Sequence, residues 1–259
     1  MRLTVLGSGT SVPHPRRSAS AHWVEAAGGT LLLDCSGPAV HRMAEEGLDW
    51  AGLDAVWVSH FHLDHVGGLA PFLFGTKHAP PTRDRRKPFH VYGPRGTRRL
   101  LQSFDEAGGY KLFEQPFPVE VREVSPGAEF EMLPGLRAST LSTPHTSESL
   151  ALRLDDADGT SLVYTSDTGY TEALAGFARA ADLFLLECSF FREKPVELHL
   201  ELSEAMRLAS LSGARRVVLS HLYPEWDGID LAAEAKRLWV GETLEARDGL
   251  RLEVGEGRR

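Results

Sequence analysis

Short apolar runs separated by glycine and proline dominate the first third of the chain and predict β-strands. These runs cover residues 3–6, 21–26, 30–34 and 53–59. Strands of this kind, bounded by turn-forming residues, are typical of domains that contain a β-sheet. Between the third and fourth runs we predict a helix from Ala39 to Glu46, because Pro38 suits the start of a helix and Gly47 suits its end.

The remaining two thirds of the chain alternate further strand and helix patterns. Strands are predicted at 89–92, 119–124, 129–133, 136–141, 150–154, 160–165, 180–187 and 216–220, and helices at 95–107, 203–211 and 229–239, with two short strands after the last helix. Ser203 is the predicted N-cap of its helix. Because the sequence has no internal repeat, linker or low-complexity tract, we expect one α/β domain that spans residues 1–259.

The composition is that of a globular chain without a membrane anchor. Of the 259 residues, 42% are apolar, which is ample for a sizeable core, and no apolar run approaches the ~18–20 residues that span a bilayer. The apolar run at the N-terminus is too short for a signal peptide, so we expect a cytoplasmic protein. Cys35 and Cys188 lie in apolar contexts without a Cys-x-x-Cys pair, and we expect buried free thiols.

Charge is unevenly distributed along the chain. The net charge of -8 argues against a protein that coats nucleic acids, yet residues 77–99 contain eight basic residues and one acidic residue. The basic residues are Lys77, Arg83, Arg85, Arg86, Lys87, Arg95, Arg98 and Arg99. This segment is either an ordinary solvated surface or an electrostatic footprint for a phosphate-bearing substrate, and the sequence leaves both interpretations open.

Metal-binding residue types are concentrated directly after the predicted strand at 53–59. The stretch His60-Phe61-His62-Leu63-Asp64-His65 contains three histidines and one aspartate within six residues. On an extended segment His60 and His62 point the same way, so two neutral imidazoles can bind one ion. Asp64 and His65 follow where the chain turns and can face a second ion. Zinc suits these ligands, and manganese and iron accept them.

This stretch resembles the His-x-His-x-Asp-His signature of the metallo-β-lactamase superfamily. The resemblance implies a four-layer αββα sandwich, as a single domain, with the metals at one edge. It implies a hydrolase with two divalent metal ions, most suitably Zn²⁺ with Mn²⁺ or Fe as alternatives, and a hydroxide between them. It also implies the complete ligand set, which is His60, His62 and His145 on one metal, Asp64, His65 and His221 on the other, and Asp167 as the bridge.

The resemblance extends to residues that would act beside the metals. Asp34 closes an apolar strand, where the family pattern implies a residue that orients metal-bound histidines. The segment Glu187-Cys188-Ser189-Phe190 resembles a His-Glu-Ala-Thr-Phe-like segment of ribonuclease Z-like phosphodiesterases. In that branch a histidine at the place of His199 is the proposed leaving-group acid, and a neighbouring carboxylate raises its pKa and fixes its tautomer. Asp64, Glu187 and His199 are therefore the predicted catalytic residues, and the alternative for His199 is an exposed histidine at a helix entry.

The spacing of two predicted ligands bears on the substrate. In one major form of the ribonucleases Z that process transfer RNA, a long arm lies between the third histidine and the bridging aspartate, whereas His145 and Asp167 are only 22 residues apart. We therefore expect a small phosphodiester, such as a nucleotide, with RNA as a weaker alternative. A lactonase or other carbonyl-ester hydrolase and a non-catalytic nucleic-acid-binding protein stay open, as does a homodimer.

Overall fold

The computed structural model describes residues 1–255, so positions 256–259 of the predicted domain lie outside the described residues. Two seven-stranded β-sheets pack face to face, and α-helices cover both outer faces. The prediction of a four-layer αββα sandwich in a single domain is confirmed.

The first half of the chain builds most of one sheet. Its strands are β1 (Arg2–Gly7), β2 (Ala21–Ala26), β3 (Gly29–Leu33), β4 (Ala55–Trp57), β5 (Phe89–Pro94) and β6 (Val119–Val124). Its helices are α1 (Ala39–Glu45), α2 (Leu63–Val66), α3 (Leu69–His78) and α4 (Thr97–Gly108).

The second half builds the other sheet. Its strands are β7 (Glu129–Leu133), β8 (Leu136–Ser142), β9 (Leu150–Asp156), β10 (Ser161–Tyr164), β11 (Leu183–Glu187), β12 (Arg216–Ser220) and β13 (Glu242–Glu245), and its helices are α5 (Ala173–Phe177), α6 (Leu202–Ser212) and α7 (Leu231–Leu238). A last strand, β14 (Arg251–Glu253), pairs with β1 of the first sheet. The strand orders are β14-β1-β2-β3-β4-β5-β6 and β13-β12-β11-β10-β9-β8-β7.

Alternate side chains of a single strand serve different layers, because successive residues of a strand point to opposite faces. Leu31 and Leu33 of β3 face the apolar core between the sheets, whereas Leu32 packs beneath the helices. In β11 the same alternation places Leu185 in the inner core and Phe184 in the outer layer. Burial on both faces explains why these strands read as continuous apolar runs in the sequence.

Most of the predicted site residues follow strands that run parallel to a neighbour, whereas His145 follows β8, which is antiparallel to β9. In the first sheet β3, β4 and β5 are parallel neighbours, and in the second sheet β10, β11 and β12 are. The carboxyl ends of parallel strands meet at one edge of a sheet, where ligands of α/β proteins bind. The loops after these strands therefore meet at the same edge of the sandwich.

Three helix starts differ from the predictions, and one of them is α7, which begins at Leu231 after the N-cap Asp230 and not at residue 229. The N-cap of α6 is Glu201, which forms a capping box with Glu204, so the prediction of Ser203 as the N-cap is wrong. The two glutamates satisfy two backbone N–H groups reciprocally, which a single serine cannot do. α4 begins at Thr97, not at residue 95, because Gly96 at φ 107° has a left-handed conformation outside the helical region.

The helices of this fold are short. α4 has twelve residues, fewer than the roughly 20 apolar residues that a helix needs to cross a bilayer. Within residues 1–255 no helix is long and apolar enough to do so.

Candidate metal centre

The histidine-rich motif lies in the loop after β4 and has two parts, an extended segment and a helical turn. The chain stays extended beyond the strand as far as His62, which has φ −65° and ψ 144°. α2 is then a single turn that carries Asp64 and His65. A Cβ at Gly68 would lie 2.1 Å from a main-chain oxygen of the loop after β3, so glycine is required where this turn packs.

Three further loops complete the cluster. His145 lies between β8 and β9, Asp167 follows β10 and His221 follows β12. His221 and two neighbours of the cluster, Asp34 and Ser166, have left-handed backbone angles, with φ of 59°, 57° and 53°. Such conformations cost on the order of 1–3 kcal/mol each in non-glycine residues and cluster at functional sites. Such backbone strain is thus present where strands of both sheets end beside the motif.

The first predicted ligand set converges on one point. His145 Nε2 lies 3.0 Å from His62 Nδ1, and one oxygen of Asp167, Oδ2, lies 3.5 Å from His145 Nε2 and 3.9 Å from His60 Nε2. Ligand atoms about 2.0–2.1 Å from a tetrahedral zinc ion lie about 3.4 Å from one another. The separations in this set are therefore those of atoms around a single ion.

The second predicted set has similar separations around the other oxygen of Asp167. Asp167 Oδ1 lies 3.1 Å from His65 Nε2 and 3.2 Å from His221 Nε2. Asp64 Oδ2 lies 3.6 Å from His221 Nε2 and 3.9 Å from His65 Nε2. Because each carboxylate oxygen of Asp167 faces a different set, this residue has the geometry of a bridge between two ions.

Several atoms of the cluster need a partner that residues 1–255 do not supply. His60 Nε2, His65 Nε2, His221 Nε2 and Asp167 Oδ1 are buried without a hydrogen bond, although buried polar atoms are nearly always paired. Burial lowers the pKa of His60 well below its ordinary value and keeps it neutral, the form that binds metal. Burial alone would raise the pKa of Asp167, but His221 and His65 lower it well below its ordinary range. The donor set therefore fits two divalent cations.

Asp34 orients two histidines of the motif. Its fully buried carboxylate accepts hydrogen bonds from His65 Nδ1–H at 2.7 Å, from Ser59 N–H and Oγ–H at 2.8 Å each, and from Tyr164 Oη–H at 2.7 Å. Ser59 Oγ also lies 3.0 Å from His60 Nδ1. A partner at Nδ1 leaves Nε2 free for a metal. We call Asp34, Ser59, His60, His65 and Tyr164 the Asp34 centre.

Glu187 has a similar position at the end of β11. Its Oε1 accepts hydrogen bonds from His199 Nδ1–H at 2.9 Å and Thr168 N–H at 2.8 Å, and its Oε2 accepts one from Ser189 Oγ–H at 2.6 Å. The main-chain N–H that follows His199 also donates to Oε2, at 3.1 Å. Ser189 Oγ lies 2.9 Å from His221 Nδ1. We call Glu187, Ser189, His199 and His221 the Glu187 centre.

His199 is buried beside the cluster. It is only 8% exposed, so the alternative of an exposed histidine at a helix entry is wrong. Its ring stacks on His221 with centroids 5.4 Å apart and lies 4.9 Å from the ring of His145. Burial lowers the pKa of His199, but the Glu187 carboxylate outweighs this and raises the pKa to about 9. An imidazole whose protonated form is favoured thus lies beside the candidate metal site. Its action as an acid stays a prediction.

A third combination of residues could also hold an ion. Ligand atoms of Asp167, Glu187, His199 and His221 lie within 4.8 Å of one another. However, both oxygens of Glu187 already accept hydrogen bonds, and His199 Nδ1 donates one of them. These two residues are therefore better suited to hydrogen bonding than to metal coordination.

Comparison with known proteins identifies the family. A family model described as a β-lactamase superfamily domain matches residues 30–222, which include all seven predicted ligands. The chain belongs to the metallo-β-lactamase superfamily. Two solved structures have a similar fold. The metallo-β-lactamase fold protein YhfI from Bacillus subtilis has a TM-score of 0.83 and 24% identity, and the match covers 97% of this chain and 99% of that chain. A diphosphatase from the PhnP family has a TM-score of 0.72 and 24% identity, and the match covers 97% of both chains.

Sequence comparison with curated relatives shows which branch of the superfamily this chain resembles. It is 34% identical over 247 residues to the uncharacterized protein ML1173 of Mycobacterium leprae, with 93% of this chain and 84% of the relative covered. It is 28% identical over 311 residues to the ribonuclease Z of Myxococcus xanthus, with 98% of each covered. The chain is therefore a ribonuclease Z-like member of the superfamily. Together with the clustered ligand atoms, these similarities support a metal-dependent hydrolase with a dinuclear site for divalent ions.

Sequence reasoning missed three polar residues of this metallo-β-lactamase site. Ser59 and Ser189 lie beside residues that were predicted for the site, and a hydroxyl one or two positions from a strand-end ligand or carboxylate is a usable signal. Tyr164 gave no such signal, because its partner Asp34 is 130 residues away on the opposite sheet.

The basic segment at 77–99 divides into structural and exposed residues. The guanidinium of Arg85 donates to main-chain oxygens of Ala51, Lys87 and Pro88 and lies 4.6 Å from the ring centroid of Phe117. Lys87 forms an ion pair with Asp54. These residues stabilise the local fold, so the segment as a whole is not a single phosphate footprint.

Arg95 lies between β5 and α4, beside a glycine that packs against the motif loop. It is exposed directly after β5, and a Cβ at the next residue, Gly96, would lie 3.1 Å from the ring of Phe61. Phe61 lies between the two first ligands of the motif, His60 and His62. The main chain beside Arg95 therefore packs against the motif loop.

Proposed function

We propose that this chain is a dinuclear metal-dependent phosphodiesterase that hydrolyses a small phosphodiester, such as a nucleotide. The observation that carries the proposal is the buried pair of Glu187 and His199 beside the seven-residue cluster. Phosphodiester cleavage expels an alkoxide, which needs a proton. An imidazolium held by a carboxylate is suited to donate that proton.

The seven clustered side chains would hold the metals. They are His60, His62 and His145 for one ion, Asp64, His65 and His221 for the other, and Asp167 for both. When bound, two divalent ions would supply a hydroxide near neutral pH and offset negative charge on the phosphoryl group. Because most of the candidate ligands are imidazoles, the set favours Zn²⁺, with Mn²⁺ and Fe as alternatives.

The proton path follows from the hydrogen bonds of His199. Its Nδ1–H is held by Glu187 at 2.9 Å, so Nε2–H is the group left to donate to the leaving oxygen. The Thr168 N–H donates to the same carboxylate at 2.8 Å and helps to hold it in place. Glu187 thus fixes the orientation of the ring and favours its charged form.

A small substrate is favoured by the segment between His145 and Asp167. β9 and β10 take up most of it, and only residues 157–160 join them. This described segment leaves no room for an arm that would hold transfer RNA. Two similar proteins carry the names ribonuclease and diphosphatase, which favours a phosphate-containing substrate over a lactone. Contact with RNA, a homodimer and a cytoplasmic location stay predictions from the sequence.

Turnover assays test the proposal. The metal-free protein is reconstituted with Zn²⁺ or Mn²⁺ and offered bis(p-nitrophenyl) phosphate, 2′,3′-cyclic and 3′,5′-cyclic nucleotides, a transfer RNA precursor and a lactone. We expect hydrolysis of a phosphodiester, and we expect the Asp167→Ala variant to lose it. Hydrolysis of the lactone alone, or no turnover with any metal, would refute the proposal.

A further inference from the structure

Ser189 connects the candidate acid to the last candidate ligand. Its hydroxyl is fully buried and lies 2.6 Å from Glu187 Oε2 and 2.9 Å from His221 Nδ1. A hydroxyl has one proton, and Ser189 donates it to Glu187 Oε2. The serine oxygen must then accept the Nδ1–H of His221. This arrangement fixes the His221 tautomer with an unprotonated Nε2, the form that binds a metal.

The first sheet contains a matching arrangement. Ser59, also fully buried, donates its hydroxyl proton to Asp34 Oδ2 at 2.8 Å, and its Oγ lies 3.0 Å from His60 Nδ1. The same reasoning fixes the tautomer of His60 with Nε2 free. Each sheet therefore presents one imidazole through a carboxylate and a serine, and the two imidazoles belong to different ligand sets.

We propose that Ser189 and Ser59 are positioning residues that control metal affinity at different halves of the dinuclear site. Ser189 acts through His221 on the ion held with Asp64 and His65. Ser59 acts through His60 on the ion held with His62 and His145. The inference rests on the two-metal assignment of the proposed function, and it does not depend on which substrate is hydrolysed.

The physical reason is the loss of a specific acceptor. In Ser189→Ala the Nδ1–H of His221 loses its partner, so the ring is free to rotate and to change tautomer. Loss of such a partner weakens metal binding by about 10–100-fold. His60 and its partners are untouched by this change, because Ser59 and Ser189 follow strands of different sheets and bond to different carboxylates.

The test measures metal binding to the metal-free full chain. Stepwise dissociation constants for Zn²⁺ are obtained by competition with a chromophoric chelator for wild type, Ser59→Ala, Ser189→Ala and Ser189→Thr. Crystals grown with one equivalent of zinc show by anomalous scattering which half of the site is occupied. We expect each alanine variant to weaken one binding step by about 10–100-fold and leave the other within about threefold. Ser189→Thr, which keeps the hydroxyl, should bind both ions within about threefold of wild type.

Three results would overturn the proposal. These are wild-type affinity in Ser189→Ala, loss of the same ion in both alanine variants, and equal loss in Ser189→Ala and Ser189→Thr. If Ser189→Ala does not fold, Ser189→Cys replaces it, because a thiol keeps the approximate size and forms only a weak hydrogen bond. A chain that binds two zinc ions as expected but hydrolyses no phosphodiester would contradict the proposed function and leave the roles of the serines supported.

Discussion

The Asp34 centre and the Glu187 centre are built alike on opposite sheets but place their histidines differently. In each, a buried carboxylate accepts a hydrogen bond from one histidine Nδ1–H. The partner of Asp34, His65, is fully buried with Nε2 3.1 Å from Asp167, whereas the partner of Glu187, His199, is 8% exposed. The same local arrangement thus presents a candidate metal ligand where the ring is fully enclosed and a candidate proton donor where the ring keeps a small exposed fraction.

The two centres also differ in their connections across the sandwich. Asp34 of the first sheet accepts a hydrogen bond from Tyr164, which lies on β10 of the second sheet. The donors to Glu187, by contrast, all come from the second half of the chain, from Thr168, Ser189 and the segment at 199–200. Asp34 therefore links the two sheets as well as orienting ligands.

The largest expected difference is between His65→Ala and His199→Ala. The first variant should lose a metal ion and all measurable hydrolysis, because His65 Nε2 is one of the candidate ligand atoms. The second should keep two metal ions and lose about 10²–10⁴-fold in kcat on a cyclic nucleotide, the usual contribution of a general acid. Metal content by elemental analysis and kcat by product chromatography check both expectations.

The leaving group supplies the control for His199→Ala. p-Nitrophenolate leaves without a proton, so the loss on bis(p-nitrophenyl) phosphate should be much smaller than on a cyclic nucleotide. An equal loss on both substrates would show that His199 has a structural role instead of an acid role.

Removing the Asp34 carboxylate should lower the free energy of unfolding more than removing the Glu187 carboxylate. Asp34→Ala leaves the buried donors of His65, Ser59 and Tyr164 without their acceptor, and we expect a loss of about 3–5 kcal/mol in the free energy of unfolding. Glu187→Ala should cost less, since it breaks no hydrogen bond between the sheets. Urea unfolding of the metal-free variants measures both values. A Glu187→Ala variant that is the less stable of the two would contradict the link between the sheets.

The pKa of His199 gives the Glu187 centre a pH dependence. The folded pKa of about 9 lies above the ordinary 6.5, so the imidazolium is favoured and its stabilising contribution is present below about pH 6.5 and lost as the pH rises toward 9. The rate on a cyclic nucleotide should fall along the same basic limb, at a lower pH when metal cations repel the imidazolium. Glu187→Gln should move this limb to lower pH. An unchanged limb in rate–pH profiles would exclude Glu187 as its cause.

The sequence predicted the parts of these centres that depend on local order. The motif at 60–65 could be found from its residue types and spacing, and Asp167 and His221 could be assigned because the chain resembles the metallo-β-lactamase superfamily. The pairings of Ser59 and Ser189 could not be predicted, since which hydroxyl contacts which imidazole depends on side-chain directions. The contact of Tyr164 with Asp34 depends on how two sheets pack, and no local pattern encodes that distance.

The smallest expected effect concerns the hydrogen bond between the sheets. Tyr164→Phe removes one of five donors to Asp34, and bonds to charged groups contribute about 1.5–3 kcal/mol. Tyr92 is a matched control, because its buried hydroxyl also crosses between the sheets but donates to the neutral Met132 O at 2.9 Å.

We expect Tyr92→Phe to cost about 0.5–1.5 kcal/mol in the free energy of unfolding, less than Tyr164→Phe, as measured by urea unfolding of the metal-free proteins. Both variants should bind two metal ions as wild type does, since at least four donors still hold the Asp34 carboxylate in each. Equal costs would mean that the charge of Asp34 does not strengthen its contact with Tyr164. Weaker metal binding in Tyr164→Phe alone would instead mean that the packing of the two sheets sets the orientation of His65. The Asp34 centre would then depend on a contact between the sheets, whereas the Glu187 centre would not.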